Sequence, residues 1–281
     1  LPPLDTNLGD NTIRTYTEGS SLYSDMLEAI ENATDYIYFE TFIWKSDKVG
    51  QRFKQALIRA AHRGIQVFCA FDGFGNLVVN PAFKRFPKHP NLHVIILPAI
   101  RSGVITLNPR KTGRDHRKVL VTDGKIGFVG GYNIGTLYKT EWRDTHVRIQ
   151  GPAVWELEMA FVDYWNAKRW NHMPKLPDQG ARAWDSSIYA ALNQPNKMLF
   201  PIRGLYIDAL ERANDHAFIT SAYFIPDREI FASLVDAAKR GVKVKVLVPK
   251  RSNHVVADWI SRAYYDDLIS AGIEIWQYEH A

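Results

Sequence analysis

An internal repeat limits what this chain can fold into more than any other feature of its sequence. Residues 27–44 (LEAIENATDYIYFETFIW) align with residues 207–224 (IDALERANDHAFITSAYF) at an offset of 180 positions, with four identities. Residues 60–67 (AAHRGIQV) align with residues 237–244 (AAKRGVKV) at an offset of 177, with five identities among eight positions. Self-similarity over a long period indicates structural units of common ancestry. The sequence therefore predicts two related lobes.

Helix and strand patterns alternate in the first lobe. Residues 20–33 and 49–63 carry apolar residues at helical spacing, and Gly64 stands where a glycine commonly follows a helix. Strands are predicted from the β-branched and aromatic runs at 13–16, 36–44, 65–71 and 92–97. This order implies parallel strands with helices on the faces of the sheet. We expect an α/β fold of two homologous lobes, each a mixed, largely parallel sheet flanked by helices as an α/β/α sandwich, with the second lobe incomplete.

A proline-rich segment separates the two lobes. Prolines occur at positions 174, 177, 195 and 201 with polar residues between them, which is typical of a connection. We predict a first lobe at residues 1–172, a linker at 173–200 and a second lobe at 201–281. The helix predicted at 154–170 belongs to the core by default. Its aromatic residues leave a membrane-interface role open, although its acidic residues suit an anionic bilayer poorly.

Composition narrows the class of protein. The 281 residues are 46% hydrophobic, which supports a full core, and no run of 18 apolar residues occurs. Residues 1–10 lack the pattern of a signal peptide. The one cysteine, Cys69, lies in an apolar run, so a buried thiol is expected. The net charge of +5 favours polyanionic partners such as anionic lipids or nucleic acid, and a solvated basic surface is the plain alternative.

The stretch from 114 to 133 (RDHRKVLVTDGKIGFVGGYN) predicts a β-hairpin. Asp123 and Gly124 form the preferred dipeptide of a two-residue turn. With that turn, Lys118 faces Val129 and His116 faces Gly131. His116 and Lys118, two residues apart, then point to one face about 6.6 Å apart along the strand. The hairpin therefore brings an imidazole and an ammonium together.

The predicted hairpin also indicates which ligand and which reaction this site suits. Gly130 and Gly131 lie opposite the two side chains, and without side chains they leave room for an anion to approach the backbone. We expect a phosphate site that contains a nucleophile. Asp123 lies roughly 16 Å of strand away from Lys118, so a structural role is expected. Nearby basic residues either line the mouth of the site or belong to an ordinary basic loop; they are Arg101, Arg110, Lys111 and Arg114.

The spacing H-x-K, four residues, D, six residues, G-G-x-N resembles the HKD motif of the phospholipase D superfamily. The alternative is a basic hairpin in which His116 only caps a strand. The resemblance implies that His116 is the nucleophile or its partner acid, and that Lys118 and Asn133 hold the phosphate. It also implies that Asp144, at the start of a predicted strand, orients the motif histidine, whereas a surface aspartate is the plain alternative.

The same resemblance implies a site with two histidines, one from each lobe or one from each subunit of a single-motif dimer. One histidine forms a phosphohistidine while the other protonates the leaving oxygen. The second hairpin is absent up to Ala281. His280 could begin it only with a lysine at position 282, and we expect a full second motif after Ala281. A chain ending at Ala281 should therefore be inactive. No cofactor is expected, and the other histidines show no metal-ligand spacing, so no metal is predicted.

Phrases in both lobes are similar to those of bacterial cardiolipin synthases, among them WRDTHVRIQGP and AAKRGVKVKVLVP. This similarity implies phosphatidyl transfer between glycerol-containing phospholipids. Two alternatives stay open: a phosphodiesterase or nuclease that uses water as acceptor, and a non-catalytic phosphate- or lipid-binding module. The implied partners are anionic phospholipids and a membrane surface, with nucleic acid less favoured. The implied location is the cytoplasmic side of the cell membrane, peripheral or anchored by a segment outside this sequence.

Overall fold

The computed structural model describes residues 4–100, 114–178, 180–182, 184–194, 197–252 and 255–279. Its contacts divide the chain into two compact units, residues 1–190 and 191–281. The predictions for Arg101, Arg110, Lys111 and His280 lie outside the described residues.

Unit one is organised around a single mixed sheet. Its strands are β1 (Leu4–Leu8), β2 (Asn11–Tyr16), β3 (Tyr36–Thr41), β4 (Gln66–Asp72), β5 (Leu92–Leu97), β6 (Val119–Thr122), β7 (Ile126–Gly130) and β8 (His146–Gln150). The strand order is β1-β2-β8-β7-β6-β3-β4-β5. Strands β3, β4 and β5 pair in parallel, and the other neighbours pair antiparallel. The predicted order implied that the first strand runs parallel to the strand that begins at residue 36. Strand β2 does run in the same direction as β3, but it lies four positions away in the sheet.

Helices cover both faces of this sheet. They are α1 (Gly19–Asn32), α2 (Lys48–His62), the short α3 (Thr136–Thr140) and α4 (Val154–Lys168). Helices α1 and α2 pack on the face that carries Ile37 and Phe39, while α4 packs on the face that carries Tyr38. This division follows from the alternation of side chains along a strand. The predicted α/β/α sandwich is confirmed, and β1 and α3 are elements that the sequence patterns did not reveal.

Helix α4 belongs to the core. It buries Leu157, Phe161 and Trp165 against Tyr38 and other residues of the sheet. The ring of Phe161 stacks on that of Tyr38 with centroids 4.8 Å apart. Burial of aromatic area of this kind is a main source of folding free energy. The core interpretation of residues 154–170 is therefore the one that the packing supports.

The hairpin exists, but its predicted register is wrong by one residue. Val119 pairs with Val129, and Thr122 pairs with Ile126, so three residues rather than two form the connection. Asp123 and Gly124 both have positive φ, 54° and 62°, as a tight turn requires. Lys125 adds one residue before β7 begins. The ladder also begins only at Val119, so His116 and Lys118 precede β6 instead of lying within it.

Asp123 ties the hairpin to the start of β3. Its carboxylate accepts hydrogen bonds from the backbone nitrogens of Thr34, Asp35 and Tyr36, at 2.9, 2.9 and 3.0 Å, and from the Thr34 hydroxyl. Although burial alone raises the pKa of Asp123, these hydrogen bonds lower it below its ordinary value. The contacts support a structural role for this residue, at the end of β6 remote from His116.

Replacing Asp123 with alanine should lower the free energy of unfolding by roughly 1–3 kcal/mol, because three backbone donors lose their acceptor and alanine disfavours positive φ. Asp123→Asn tolerates that φ and should lose less. The Asp123 contribution is present above the unfolded-state pKa and is lost as the pH falls through the lower folded-state value. Urea unfolding at pH 7 and at about pH 3 measures both effects. Equal stabilities for wild type and Asp123→Ala at pH 7 would contradict the structural role.

Unit two repeats the parallel part of unit one. Its strands β9 (His216–Thr220), β10 (Lys243–Pro249) and β11 (Glu274–Tyr278) form a parallel sheet of order β11-β10-β9. Its helices are α5 (Pro201–Arg212), α6 (Arg228–Lys239), α7 (Val255–Arg262) and α8 (Tyr265–Ser270). The core contains Leu210, Leu234, Val244, Val246 and Leu268.

Equivalent residues of the repeat make equivalent contacts. The Arg63 guanidinium donates to the carbonyl of Ile30 at 2.9 Å, and the Arg240 guanidinium donates to that of Leu210 at 2.7 Å. In each unit the arginine binds the end of the preceding helix, where carbonyls lack intrahelical partners. The glycines that follow, Gly64 and Gly241, have φ of 99° and 91°. The predicted two-lobed ancestry is therefore visible in local geometry.

The beginning of the predicted linker packs on unit one. The indole of Trp165 donates to the carbonyl of Pro174 at 3.0 Å, and Asn166 exchanges two hydrogen bonds with the backbone of Leu176. Residue Leu176 is 4% exposed. The lobe boundaries at 172 and 201 stay predictions. Among the described residues, no helix has the length and apolar character that crossing a membrane demands.

Candidate active site

His116 lies at the carboxyl ends of the parallel strands of unit one. Its imidazole stacks on the ring of Phe42, just after β3, with centroids 3.8 Å apart. Burial first, and then the charge of Lys118, lower the pKa of His116, while the charges of Asp72 and Asp115 oppose this shift. A lowered pKa keeps the imidazole neutral at neutral pH. Because only a neutral imidazole has a free lone pair, His116 is held in the form that can attack phosphorus.

Lys118 lies beside this histidine. Its ammonium donates a hydrogen bond to the carbonyl oxygen of His116 and lies 5.6 Å from the ring centroid of Phe42. Burial lowers the pKa of Lys118, and the charges of Asp144 and Asp115 oppose that shift. The two motif side chains therefore come together, as the sequence predicted, although they do so on extended chain before β6.

Asp144 fills the space beside Gly131. A Cβ built on Gly131 would overlap the Asp144 carboxyl group, so this space is occupied by the carboxylate rather than open. The carboxylate accepts a hydrogen bond from the backbone nitrogen of Thr145 at 2.7 Å. Burial raises the pKa of Asp144, while that hydrogen bond and the Lys118 charge oppose the shift. In the part of the chain that the structure describes, no hydrogen bond joins Asp144 to His116, and the charge of Asp144 acts on Lys118. The orientation of His116 by Asp144 stays a prediction.

Gly130 allows β7 to approach β8 closely. A Cβ on Gly130 would lie 2.5 Å from the Cα of His146 and 2.5 Å from the carbonyl oxygen of Thr145. His146 is 1% exposed, and neither ring nitrogen has a hydrogen-bond partner among the described residues. Burial, and then the charge of Lys118, lower its pKa to about 3. A neutral histidine thus lies behind Lys118, a residue to which the sequence analysis gave no role.

Asn133 connects the motif to the loop after β3. Its Oδ1 accepts a hydrogen bond from the backbone nitrogen of Ile43 at 3.0 Å, and its carbonyl accepts one from the hydroxyl of Tyr23. Through Ile43 it fixes the segment that carries Phe42. Its predicted contact with phosphate stays a prediction. The Asn133 Nδ2, which has no acceptor within the described ranges, is the atom that could make it.

Asp72 and Arg114 add charge beside His116 that the motif did not reveal. Asp72, at the end of β4, is 1% exposed and lies 3.3 Å from the Arg114 guanidinium. Arg114 also donates to the carbonyl of Ala99 at 2.5 Å. The position of Asp72 at the carboxyl end of a parallel strand was the available signal, because open α/β sheets place functional groups there.

A buried carboxyl pair lies beneath the motif. Glu40 of β3 is 4% exposed, and Arg117 donates to its Oε1 at 3.2 Å. Arg117 also donates to Asp115 at 2.7 Å and to the carbonyl of Ala160 at 2.9 Å. Its guanidinium carbon lies 4.6 Å from the ring centroid of Tyr164. Through these contacts Arg117 holds Asp115 and itself, the two neighbours of His116, against β3 and α4.

The two carboxyl groups share one negative charge. Burial raises the pKa of Glu40 well above its ordinary range, and the charge of Arg117 only opposes this shift. Burial also raises the pKa of Asp115, but hydrogen bonds from Glu40 and Arg117 outweigh it and bring the value to about 2. The Glu40 Oε2 is buried and has no hydrogen-bond partner among the described residues. A proton on Glu40 that is donated to Asp115 satisfies both groups.

This sharing predicts different outcomes for two substitutions. Glu40→Gln should change the free energy of unfolding by less than about 1 kcal/mol at pH 7, because an amide can replace a protonated carboxyl as donor and acceptor. Arg117→Met should cost about 3 kcal/mol or more, because it leaves a buried carboxylate without its cation. Chemical denaturation compares the two proteins. A large loss in Glu40→Gln would show that Glu40 is ionised.

The arrangement combines a neutral imidazole, an adjacent ammonium and a carboxylate that acts on the ammonium. These groups suit nucleophilic attack on a phosphate and stabilisation of the charge that develops on it. Within the described ranges, no group of three or more acidic, histidine or cysteine side chains could hold a metal ion. That the reaction needs no metal ion is still a prediction.

Comparison with known proteins extends this description. A family model described as "Cardiolipin synthase, PLD-like domain" matches residues 26–165 and 206–281. The chain is 32% identical over 96% of its length to cardiolipin synthase 1 of Staphylococcus aureus (strain COL) and covers 57% of that protein. It is 29% identical over 96% of its length to the major cardiolipin synthase ClsA of Bacillus subtilis (strain 168) and covers 58% of it. The chain thus spans somewhat more than half the length of these relatives.

A solved structure shares the fold. The phosphatidylserine synthase of Haemophilus influenzae Rd KW20 matches all of this chain with a TM-score of 0.64, at 16% sequence identity and over 75% of its own length. The family match covers most of both structural units, including the stretch from His116 to Asn133. The chain therefore belongs to the phospholipase D-like domain family of which the cardiolipin synthases are members.

Proposed function

We propose that this chain is part of a phosphatidyltransferase of the cardiolipin synthase type, which acts on phospholipid phosphodiesters through a phosphohistidine at His116. The observation that carries the proposal is the exposed imidazole of His116, stacked on Phe42 beside the ammonium of Lys118, with its pKa lowered. The similarity to named cardiolipin synthases over 96% of the chain supports the choice of substrate class.

The first half-reaction forms a phosphorus–nitrogen bond to His116 and breaks the phosphorus–oxygen bond to the headgroup alcohol. The ammonium of Lys118 and the amide of Asn133 hold the phosphate oxygens, with Gly130 and Gly131 at the same end of the hairpin. Asp144 holds Lys118 in its charged form, because a nearby carboxylate favours the ammonium. The departing alcohol takes its proton from a second acid, for which a histidine of a second motif is the expected group.

In the second half-reaction a lipid hydroxyl attacks the phosphohistidine. The hydroxyl gives its proton to the same second group, now a base, while the phosphorus–nitrogen bond breaks and His116 is released. Partners of the intact protein would then be anionic phospholipids at a membrane surface. We place the protein peripherally, or anchored through a segment outside this sequence, on the cytoplasmic side.

Phosphatidylglycerol labelled at phosphorus tests the reaction in the intact protein. Transfer to a second lipid gives diphosphatidylglycerol and free glycerol, and label retained on the protein after quenching at alkaline pH reports the acid-labile phosphohistidine. Phosphatidic acid as the main product would instead indicate a hydrolase that uses water as acceptor. Binding of lipid without either product would indicate a non-catalytic module and would overturn the proposal.

A further inference from the structure

Four apolar side chains are exposed at the end of the sheet that carries His116. Phe74, Leu77 and Val78 follow β4 and are 51%, 58% and 87% exposed, and Ile100 follows β5 and is 68% exposed. Strands β4 and β5 are parallel neighbours, so the four residues emerge from adjacent carboxyl ends. We call these four residues the apolar rim. Exposed apolar residues that lie at one edge of a domain commonly mark an interaction site.

The rim is held in place by buried polar groups. Asp72 Oδ1 accepts hydrogen bonds from the backbone nitrogens of Phe74 and Gly75 at 2.8 and 3.0 Å. Asn76 is fully buried; its Oδ1 accepts from the backbone nitrogen of Trp44 at 2.7 Å, and its Nδ2 donates to the carbonyls of Phe42 and Asp72. The exposure of Phe74, Leu77 and Val78 is therefore a property of a well-bonded turn.

The rim is continuous with the candidate active site. Gly75 lies so close to Phe42 that a Cβ would be 2.8 Å from the Phe42 carbonyl oxygen and 3.2 Å from its ring. Phe42 in turn stacks on His116. On the other side, the Arg114 guanidinium carbon lies 4.1 Å from the ring centroid of Phe74. A surface that covers the rim would therefore also meet the mouth of the site.

Positive charge is concentrated in the same part of the chain. The sequence from 73 to 114 contains seven Lys and Arg residues and no Asp or Glu, whereas the other 239 residues contain 28 basic and 30 acidic residues. The basic residues of this stretch that the structure describes are Lys84, Arg85, Lys88 and Arg114. The net positive charge of the chain thus comes from the segment that also supplies the rim.

We propose that the apolar rim inserts into the interface of an anionic lipid bilayer and holds the His116 site against the lipid headgroups. Exposed aliphatic and aromatic side chains enter the boundary between headgroups and acyl chains, and a cation beside them, here Arg114, binds a lipid phosphate. This inference rests on the proposed function for its choice of lipid over other polyanions. The inference identifies the residues that contact the membrane. It also explains how a lipid phosphate reaches the site at His116.

A single-site label tests the insertion directly. Cys69 is the one cysteine of the chain and is fully buried, so Val78→Cys can be labelled selectively with a polarity-sensitive fluorophore. Leu8→Cys, on the outer strand β1, is the matched control, since Leu8 is 39% exposed. Vesicles of phosphatidylglycerol should shift the emission of the Val78→Cys label to the blue and leave the Leu8→Cys label unchanged. Equal responses, or none, would overturn the inference.

Binding measurements give a second, independent test. Leu77→Ser/Val78→Ser should lower the partition coefficient onto phosphatidylglycerol vesicles by roughly 30-fold, and Leu4→Ser/Leu8→Ser by less than about twofold. Phosphatidylcholine vesicles should bind the wild type at least about tenfold more weakly, because they lack the negative surface charge. Equal partitioning of the two double variants would contradict the insertion.

The remaining outcomes separate this inference from the proposed function and from other partners. In the intact protein, the Leu77→Ser/Val78→Ser variant should turn over a short-chain, monomeric phosphatidylglycerol as fast as the wild type does. Absence of turnover in both proteins, together with vesicle binding that the wild type shows and the double variant loses, would refute the proposed function alone. A blue shift of the Val78→Cys label with single-stranded DNA, or with rising protein concentration in the absence of vesicles, would replace the lipid surface with nucleic acid or a second copy of the chain.

Discussion

Replacing His116 with alanine should reduce phosphatidyl transfer by the intact protein at least about 10³-fold while leaving its melting temperature nearly unchanged. The loss is large because His116 is the exposed imidazole beside Lys118, whereas the neutral His146 behind Lys118 is only 1% exposed and cannot reach a bound phosphate. The change in stability is small because His116 lies on the protein surface, where its ring stacks on that of Phe42. Removing an exposed side chain of this kind rarely costs more than about 0.5 kcal/mol.

The measurement combines turnover of labelled phosphatidylglycerol with thermal unfolding of the same preparations. His172→Ala is the matched control, because His172 is exposed and follows α4 outside the motif. It should leave both quantities unchanged. A His116→Ala protein that retains near-normal turnover, or that loses turnover only because it unfolds, would remove His116 from the chemistry.

Gly131→Ala should reduce turnover about as strongly as Asp144→Ala, roughly 10²-fold, although it removes no chemical group. The added Cβ occupies the space of the Asp144 carboxylate, which must turn away from Lys118. Lys118 then loses the largest of the charges that oppose the lowering of its pKa by burial. A less charged ammonium stabilises the developing negative charge on phosphate less well.

A double-mutant cycle distinguishes this explanation from general damage. If both substitutions act through the position of one carboxylate, Gly131→Ala/Asp144→Ala should be no slower than either single variant. Gly130→Ala is the contrasting variant, because its Cβ would meet the backbone of Thr145 and His146 and should therefore reduce stability. Additive losses of activity in the double variant would show that Asp144 and Gly131 act separately.

Several features of this protein were decided by local sequence. Apolar periodicity and β-branched runs predict the helices at 19–32, 48–62 and 154–168 and the strands that begin at 36 and 92. Such patterns are stabilised when their apolar residues are buried in the core. The two-unit organisation follows from the repeat, and the approach of His116 to Lys118 follows from a spacing of two residues in extended chain. These properties depend on neighbours in sequence, so a pattern can report them.

Other features were decided only by tertiary structure. The one-residue change in hairpin register arises because Lys125 is added after the turn, which the Asp-Gly dipeptide alone does not specify. Glu40 and Arg117 meet because β3 pairs antiparallel with β6, with Glu40 opposite Val119. Asp144 reaches Gly131 because β8 lies beside β7. Each of these contacts joins segments brought together by strand pairing, and the protonation states of Glu40 and His146 follow from the burial that this pairing creates.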